Sequence, residues 1–127
     1  MIDSEIVVGG YLRETTGERV VGKTPPNTDA PWVRLTQLDA DNVTGTTEVE
    51  AWHDYVLQLD CYAGKGGYAN QLAIDVRDAL VALPQDPPSD AVVTQVTFQG
   101  QVRLPDEGFE PARERVILTA TVKARAA

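Results

Sequence analysis

Apolar residues occupy every second position along residues 55–62 of the chain. Tyr55, Leu57, Leu59 and Cys61 alternate there with residues of more mixed character. Alternation with a period of two is typical of a β-strand that buries one face. The pattern therefore predicts a strand whose odd-numbered side chains face the core.

A different period follows over residues 68–83. Apolar side chains recur there every three to four positions, which indicates a helix of about four turns with one buried face. The predicted buried face consists of Tyr68, Leu72, Val76, Ala79, Leu80 and Leu83. Ile74 and Val81 lie on nearly the opposite face, where a monomer has little reason to place two β-branched residues. Pro84 ends this helix, and residues 85–90 form a linker.

The residues before the alternating strand predict a first helix over residues 4–15. Asp3 or Ser4 caps it, and Gly9 and Gly10 weaken it by about 1 kcal/mol each relative to alanine. Alternation and turn-forming residues indicate two strands and two loops in the remainder of this part of the chain. The strands cover residues 19–22 and 31–38, and the loops cover residues 24–29 and 39–47.

The last part of the chain predicts a long β-hairpin. One apolar phase runs along its first strand, with Gly100 as a bulge, through Val92, Thr94, Val96, Phe98, Val102 and Leu104. The return strand places Val116, Leu118, Ala120 and Val122 on one face. Its other face carries Ile117, Thr119, Thr121 and Lys123. The connection at residues 105–112 is acidic and contains one aromatic residue, Phe109.

This order of elements indicates the fold class. The 127 residues fit one domain spanning residues 1–127. Strands that follow one another with few helices between them favour an α+β fold. We expect a mixed, largely antiparallel sheet of four to five strands, with two helices packed on one face.

The charge of the chain narrows its possible partners. Eleven basic and 19 acidic residues give a net charge of −8. This balance disfavours adhesion to nucleic acid or to an anionic membrane. It is compatible with a protein surface along which DNA moves without binding. No segment approaches the ~20 apolar residues of a membrane span. The acidic start lacks the features of a signal peptide, so we expect folding in the cytosol.

The chain has one cysteine, Cys61, and one histidine, His53. A single cysteine excludes an internal disulfide, and the two residues are too few for a Cys/His metal cluster. Cys61 falls on the apolar face of its strand, where we expect a buried structural thiol. His53 and Asp54 are adjacent in a strand and point to opposite faces. We therefore expect a solvated histidine and not a catalytic base.

Two other patterns resemble known sites, and a structural interpretation is favoured for both. The glycines of the stretch from Gly64 to Gly67, followed by Ala69, match a dinucleotide fingerprint between a strand and a helix. That fold needs several parallel βαβ units, so we expect a turn that reverses the chain. A second pattern, of carboxylates, lacks the spacing of a calcium loop and indicates a solvated acidic loop. It consists of Asp39, Asp41, Glu48 and Glu50.

Both tryptophans are expected to anchor the core or the sheet edge, or to act as interface hot spots. They are Trp32 and Trp52.

The order of several patterns is shared with one protein family. They are the start at residues 1–5 with Tyr11-Leu12-Arg13, the strand at residues 31–36, the strand at residues 57–63, the helical pattern A-x-x-L-A-x-x-V-R-x-A-L at residues 69–80, and the closing strand at residues 115–122. In this order and at this length, the chain resembles the tail-terminator proteins of long-tailed bacteriophages.

The resemblance implies a small α+β protein without catalytic residues, metal or cofactor that assembles into a ring, commonly a hexamer. The ring ends polymerisation of the tail tube and presents a surface to the head connector. The implied partners are other copies of the chain, the major tail tube protein and the head–tail connector or completion protein. DNA passes the lumen without specific binding, and no membrane is involved. The implied location is the head-proximal end of the virion tail, assembled in the host cytoplasm.

We expect the contacts to use the outer face of the second helix, the sheet face of the last strand and the acidic hairpin tip. The residues are Ile74, Arg77, Val81, Glu107, Phe109, Ile117 and Thr119. Two alternatives stay open. One is a head-completion or connector protein of the same virion, and the other is a small nucleotide-binding domain that uses the turn from Gly64 to Gly67.

Overall fold

The strand that alternates over residues 55–62 lies at the centre of a five-stranded sheet. The structure is a computed structural model, and it describes residues 2–23, 31–42, 52–64, 67–108 and 113–127. Two helices accompany the sheet. The helices are α1 (Ser4–Thr16) and α2 (Asn70–Ala82), the latter followed by a 3₁₀ turn at Leu83–Gln85. The strands are β1 (Arg19–Val21), β2 (Trp32–Asn42), β3 (His53–Tyr62), β4 (Ala91–Asp106) and β5 (Arg113–Ala126).

The strand order in the sheet is β1-β2-β3-β5-β4. β1 pairs with β2 in parallel, and the three other pairings are antiparallel. Tyr55, Leu57, Leu59 and Cys61 of β3 are buried on the face that carries the helices, as the alternation predicts. The fold class is confirmed: the protein is α+β, with a mixed and mainly antiparallel sheet.

Both helices pack on that same face of the sheet. α1 begins where the Asp3 carboxylate accepts a hydrogen bond from the Ile6 N–H at 3.2 Å, and it ends at Gly17, whose φ of 71° is left-handed. The Tyr11 hydroxyl donates to the Ala79 carbonyl at 2.6 Å and joins α1 to α2. This buried bond fixes the two helices side by side.

The single apolar phase predicted for β4 is wrong, because β4 contains two bulges. Thr94 and Gln99 are the extra residues, at the register shifts between Val93 and Gln95 and between Phe98 and Gly100. Each bulge turns the following side chains to the other face of the sheet. The side chains of β4 therefore alternate between the two faces of the sheet only within each segment between bulges.

The consequences of the bulges are visible in what each side chain meets. Val96 and Phe98 pack against the core, whereas Val102 and Leu104 emerge on the face without helices. The bulge predicted at Gly100 lies one residue earlier.

Three other predictions from the sequence need correction. β2 continues through Asn42 and pairs with β3 that far, so residues 39–42 are strand and not loop. Tyr68 precedes α2 and is 79% exposed, because the helix begins only at Asn70. His53 is buried at the start of β3, not solvated. The predicted loop at residues 24–29, residues 43–47 of the second loop, Glu48, Glu50 and Phe109 lie outside the described residues.

Candidate interaction surfaces

The sheet face without helices buries two aromatic rings at one end. Trp32 of β2 and Tyr62 of β3 are direct partners in the strand register and are both fully buried. Their rings stack with 4.6 Å between centroids and 12° between planes. The guanidinium of Arg113 lies 5.6 Å from the Trp32 ring, and that of Arg115 lies 5.8 Å from the Tyr62 ring. We call these four residues the aromatic–arginine cluster.

A buried carboxylate borders this cluster. Asp60 is 1% exposed and forms an ion pair with Arg34, its partner across the β2–β3 pairing. Arg115 lies 3.8 Å from the same carboxylate, and the Gln58 amide donates to its other oxygen at 2.9 Å. Burying a carboxylate is costly unless ion pairs and hydrogen bonds compensate for the lost water, and Asp60 has both kinds of partner. Asp60 therefore joins β2, β3 and β5 through their side chains.

The end of β4 completes the cluster. The Tyr62 hydroxyl donates to the Asp106 carboxylate at 3.0 Å. Burial alone raises the pKa of Asp106, but the Gly108 N–H, the Tyr62 hydroxyl and the charges of Arg115 and Arg34 lower it below its ordinary value. Asp106 therefore ties the end of β4 to Tyr62 of β3 and to Arg115 of β5.

The glycine-rich turn has a carboxylate of the protein itself at the start of the following helix. The Ala69 N–H, at the N-cap of α2, donates to Glu114 at 2.8 Å. Glu114 also accepts from Arg103 at 2.9 Å. A helix N-terminus attracts a phosphate through its free N–H groups and its dipole. Glu114 supplies that negative charge internally, which disfavours the nucleotide-binding alternative. Lys65 and Gly66 lie outside the described residues.

The two residues considered for chemistry are both buried. Burial, together with the charge of Asp60, raises the pKa of the Cys61 thiol to about 12. The thiol is therefore protonated at neutral pH and serves as a small core residue, as expected. The His53 ring lies 5.7 Å from the Tyr55 ring, at the edge of the core.

The outer surface of the helix layer carries exposed aliphatic side chains. Ile6 of α1 and Ile74 and Val81 of α2 are 67%, 49% and 59% exposed. The outward position predicted for Ile74 and Val81 is confirmed. Arg77, predicted beside them, extends toward β4, and its guanidinium lies 4.4 Å from the Phe98 ring. It therefore shields Phe98 at the sheet edge.

The remaining predicted contact residues lie elsewhere. Ile117 and Thr119 are half-buried on the sheet face without helices, so the structure separates them from Ile74 and Val81 by the thickness of the molecule. Glu107 is exposed in the turn after β4. The predicted residues that the structure describes thus lie on two opposite sides of the molecule and, for Glu107, in the turn after β4.

Sequence reasoning missed the aromatic–arginine cluster and its carboxylates. The signal was available: Arg34, Asp60 and Arg115 each fall on the strand face opposite the apolar residues. Opposite charges on neighbouring strands pair when the register aligns them. The register itself was not predictable from the sequence. Trp32 is fully buried, as expected of an anchor, but on the sheet face without helices, and Trp52 is half-buried with Arg125 at 5.3 Å from its ring.

Two features of common site types are missing from the described part of the chain. No three His, Cys, Asp or Glu side chains there are grouped so that they could hold a metal ion. Neither helix there is long and apolar enough to cross a bilayer.

Comparison with known proteins places the fold among virion components. Residues 10–122 match the family described as tail completion protein gp17. A chain from a solved structure titled "Virion of native gene transfer agent (GTA) particle" superposes with a TM-score of 0.60. The two are 20% identical, and the match covers 95% of this chain and 93% of that chain. No curated protein matches the sequence.

Proposed function

The chain belongs to the tail completion protein gp17 family, and from that premise we propose that it forms a ring that caps the tail tube. In this role it stops polymerisation of the tube and joins it to the head connector. A tail completion protein is a component of a phage-like virion. The ring, its position at the head-proximal end and its assembly in the host cytoplasm are the finer parts of the proposal.

The observation that carries the ring is the exposed aliphatic surface of the helix layer. The outer face of a surface helix is ordinarily polar, yet Ile6, Ile74 and Val81 are each about half or more exposed. Contiguous exposed apolar patches mark contacts with another protein, and the proposal takes these three side chains as parts of such a contact surface. A ring of identical subunits supplies that contact without a second gene product.

A closed ring needs two different surfaces on each subunit, because one patch must meet another patch on the neighbour. Ile74 and Val81 form one of them, with Arg77 at its border toward β4. Ile117 and Thr119, on the opposite side of the molecule, form the other. We place the neighbour's helix face against this sheet face, and we assign contact with the tube or connector to the tip that contains Glu107 and Phe109.

The same proposal names the other partners. The tube end consists of the major tail tube protein, and the opposite face of the ring meets the head–tail connector or completion protein. The ring is a hexamer in this proposal. DNA passes its lumen without specific binding, because a chain with a net charge of −8 repels the phosphate backbone. The proposed role uses neither catalysis nor a cofactor.

In vitro capping separates this role from that of a connector protein. Purified protein is added to polymerising tail tube protein, and tube length is measured by electron microscopy. A cap shortens the tubes and leaves one blunt, decorated end. A connector protein would leave tube length unchanged and would bind isolated portal or connector rings instead. The Ile74→Asp variant, tested beside wild type, links the effect to the helix face.

A further inference from the structure

A groove follows α1 along the outer surface of the helix layer. Two cavities of about 330 and 450 Å³ form it, and Thr15 lines both. The first lies between α1 and the linker at residues 86–90, and the second lies between the end of α1 and α2. We call the two cavities together the interhelical groove. From Ile6 to Thr16 it extends for about 15 Å along the axis of α1.

The floor of the interhelical groove is apolar. Tyr11 and Ala79 lie at its base, where the Tyr11 hydroxyl donates to the Ala79 carbonyl and holds the two helices together. On the linker side the lining includes Pro87 and Pro88, both half-buried, and on the α1 side it includes Ile6, which is 67% exposed. Such a floor accommodates the aliphatic part of a long side chain.

The rim of the groove carries charge of one sign. Every charged side chain that lines it is an exposed carboxylate, and these are Glu14, Asp75, Asp78, Asp86 and Asp90. Within the part of the chain that the structure describes, none of the five forms an ion pair. Only Asp75 there accepts a side-chain hydrogen bond, from Gln71 at 2.9 Å.

The basic side chains next to these carboxylates in the sequence are engaged elsewhere. Arg13 donates to the Val20 carbonyl at 2.9 Å, and the guanidinium of Arg77 lies 4.4 Å from the Phe98 ring. The groove therefore holds five negative charges that no basic residue of its lining offsets. Because like charges repel and opposite charges attract, a group of cations that enters the groove is attracted by all five carboxylates.

The distribution of the carboxylates favours several cationic side chains over one metal ion. No three acidic side chains in the described ranges are grouped so that they could hold a metal ion. Lysine and arginine place an aliphatic stem on an apolar surface while the charged end reaches polar surroundings. An extended segment of about five residues spans the length of the groove, at ~3.3 Å per residue, and points alternate side chains into it.

From the apolar floor and the acidic rim, we propose that the interhelical groove docks an extended basic segment of a second kind of protein. Its lysine or arginine stems lie along the floor, and their charged ends lie among the carboxylates. The inference goes beyond the proposed ring, because it adds a contact with a partner of opposite charge. Opposite charges on two surfaces favour their encounter and fix their orientation.

A second copy of the chain fits the groove less well. Its described basic residues contact groups of their own chain, except Arg19, Lys23 and Lys123. Arg19 is held in β1 by pairing with β2, and Lys123 lies on the sheet face without helices. A second copy also carries the same net charge of −8, which repels the groove.

A labelled peptide tests the chemistry of the occupant. The probe is a fluorescein-labelled peptide of seven residues in which lysine alternates with leucine, and the control peptide has glutamate in place of lysine. Binding to the isolated full chain is measured by fluorescence anisotropy. We expect the lysine peptide alone to bind, and its affinity to fall at least fivefold between about 50 and 300 mM salt, because salt screens the attraction.

A pair of lysine variants tests the location. Thr15→Lys places a cation where the two cavities meet, and Thr97→Lys adds the same charge on the sheet face without helices. Both threonines are exposed, so neither change should move the unfolding midpoint appreciably. We expect Thr15→Lys to lower the affinity for the lysine peptide at least fivefold and Thr97→Lys to lower it less than twofold.

Three results would overturn the inference. They are no binding of the lysine peptide, equal losses of affinity in the two lysine variants, or self-association of the chain that the peptide displaces and Lys23→Glu abolishes. The last result would assign the groove to a second copy. Failure of the ring is distinguishable, because a chain that binds the peptide in the groove but leaves tail tubes uncapped would reject the proposed function and retain this contact.

Discussion

The ring of Trp32 stacks on the ring of Tyr62, its direct partner across β2 and β3, and both side chains are fully buried on the sheet face without helices. A single sheet covered by helices on one face ordinarily leaves its second face to solvent. Here one end of that face is a second buried region. Through Asp106 it also holds the end of β4.

Replacing Tyr62 by phenylalanine tests how strongly this region holds the hairpin. The change keeps the stacked ring and removes the hydroxyl that donates to Asp106. A hydrogen bond to a charged group contributes about 1.5–3 kcal/mol, so we expect a loss of about that size in the free energy of unfolding. Urea titration measures it. Tyr68→Phe, at an exposed tyrosine, is the control and should leave stability unchanged; equal losses would refute the assignment.

Glu114 links stability to pH. The hydrogen bond from the Ala69 N–H, and to a smaller extent the one from Arg103, lowers the pKa of Glu114 below its ordinary value of 4.5. A carboxyl with a lowered folded-state pKa stabilises the protein above its unfolded-state pKa, and this contribution disappears as the pH falls through the folded-state pKa. We expect Glu114→Gln to be less stable than wild type at pH 7 and the difference to shrink toward pH 3. Urea titrations at both pH values measure this; an undiminished difference would contradict it.

Two glycines of the first helix region should respond to alanine in opposite directions. A Cβ at Gly10 meets only the tip of Arg13, at 3.9 Å. Gly10→Ala should therefore stabilise the protein by about 0.5–1 kcal/mol through helix propensity. Gly17 has a φ of 71°, so Gly17→Ala should destabilise it by about 1 kcal/mol. The midpoints of thermal unfolding of both variants, compared with wild type, test these two signs. A Gly17→Ala variant more stable than wild type would be inconsistent with the left-handed end of α1.

The exposed face of α2 should matter for assembly and not for folding. Ile74→Asp places a charge where we propose that the neighbour packs, so ring formation on tube ends should fall at least tenfold. Since Ile74 is 49% exposed, the free energy of unfolding should change by no more than about 0.5 kcal/mol. Asn70→Asp adds the same charge at another exposed site of α2 and should assemble normally. Normal capping by Ile74→Asp would remove this face from the contact.

The sequence predicts the elements whose pattern is unbroken. β3 and β5 alternate without interruption, so their buried residues, from Leu57 to Val122, follow from a period of two. β4 also alternates, but the bulges at Thr94 and Gln99 shift its phase, and neither residue type marks a bulge. The outer face of α2 that contains Ile74 is predictable for the same reason as β3, because the helical period of α2 is regular.

The second buried region was not predictable in the same way. Tyr62 and Asp60 occupy positions that alternation assigns to the solvent face, and their burial depends on partners brought from β2 and from the end of β4. His53 was misassigned because its burial is decided by tertiary packing, not by its neighbours in the chain. Register and long-range contacts, and not local propensity, account for these differences.

The most direct test of the central claim is electron microscopy of the purified protein mixed with tail tubes of the same virion. The proposal predicts a ring on one end of each tube, no decoration along its length, and no further growth from the ringed end when tube protein is added. Tubes with bare ends that continue to grow from both ends in the presence of excess protein would contradict it.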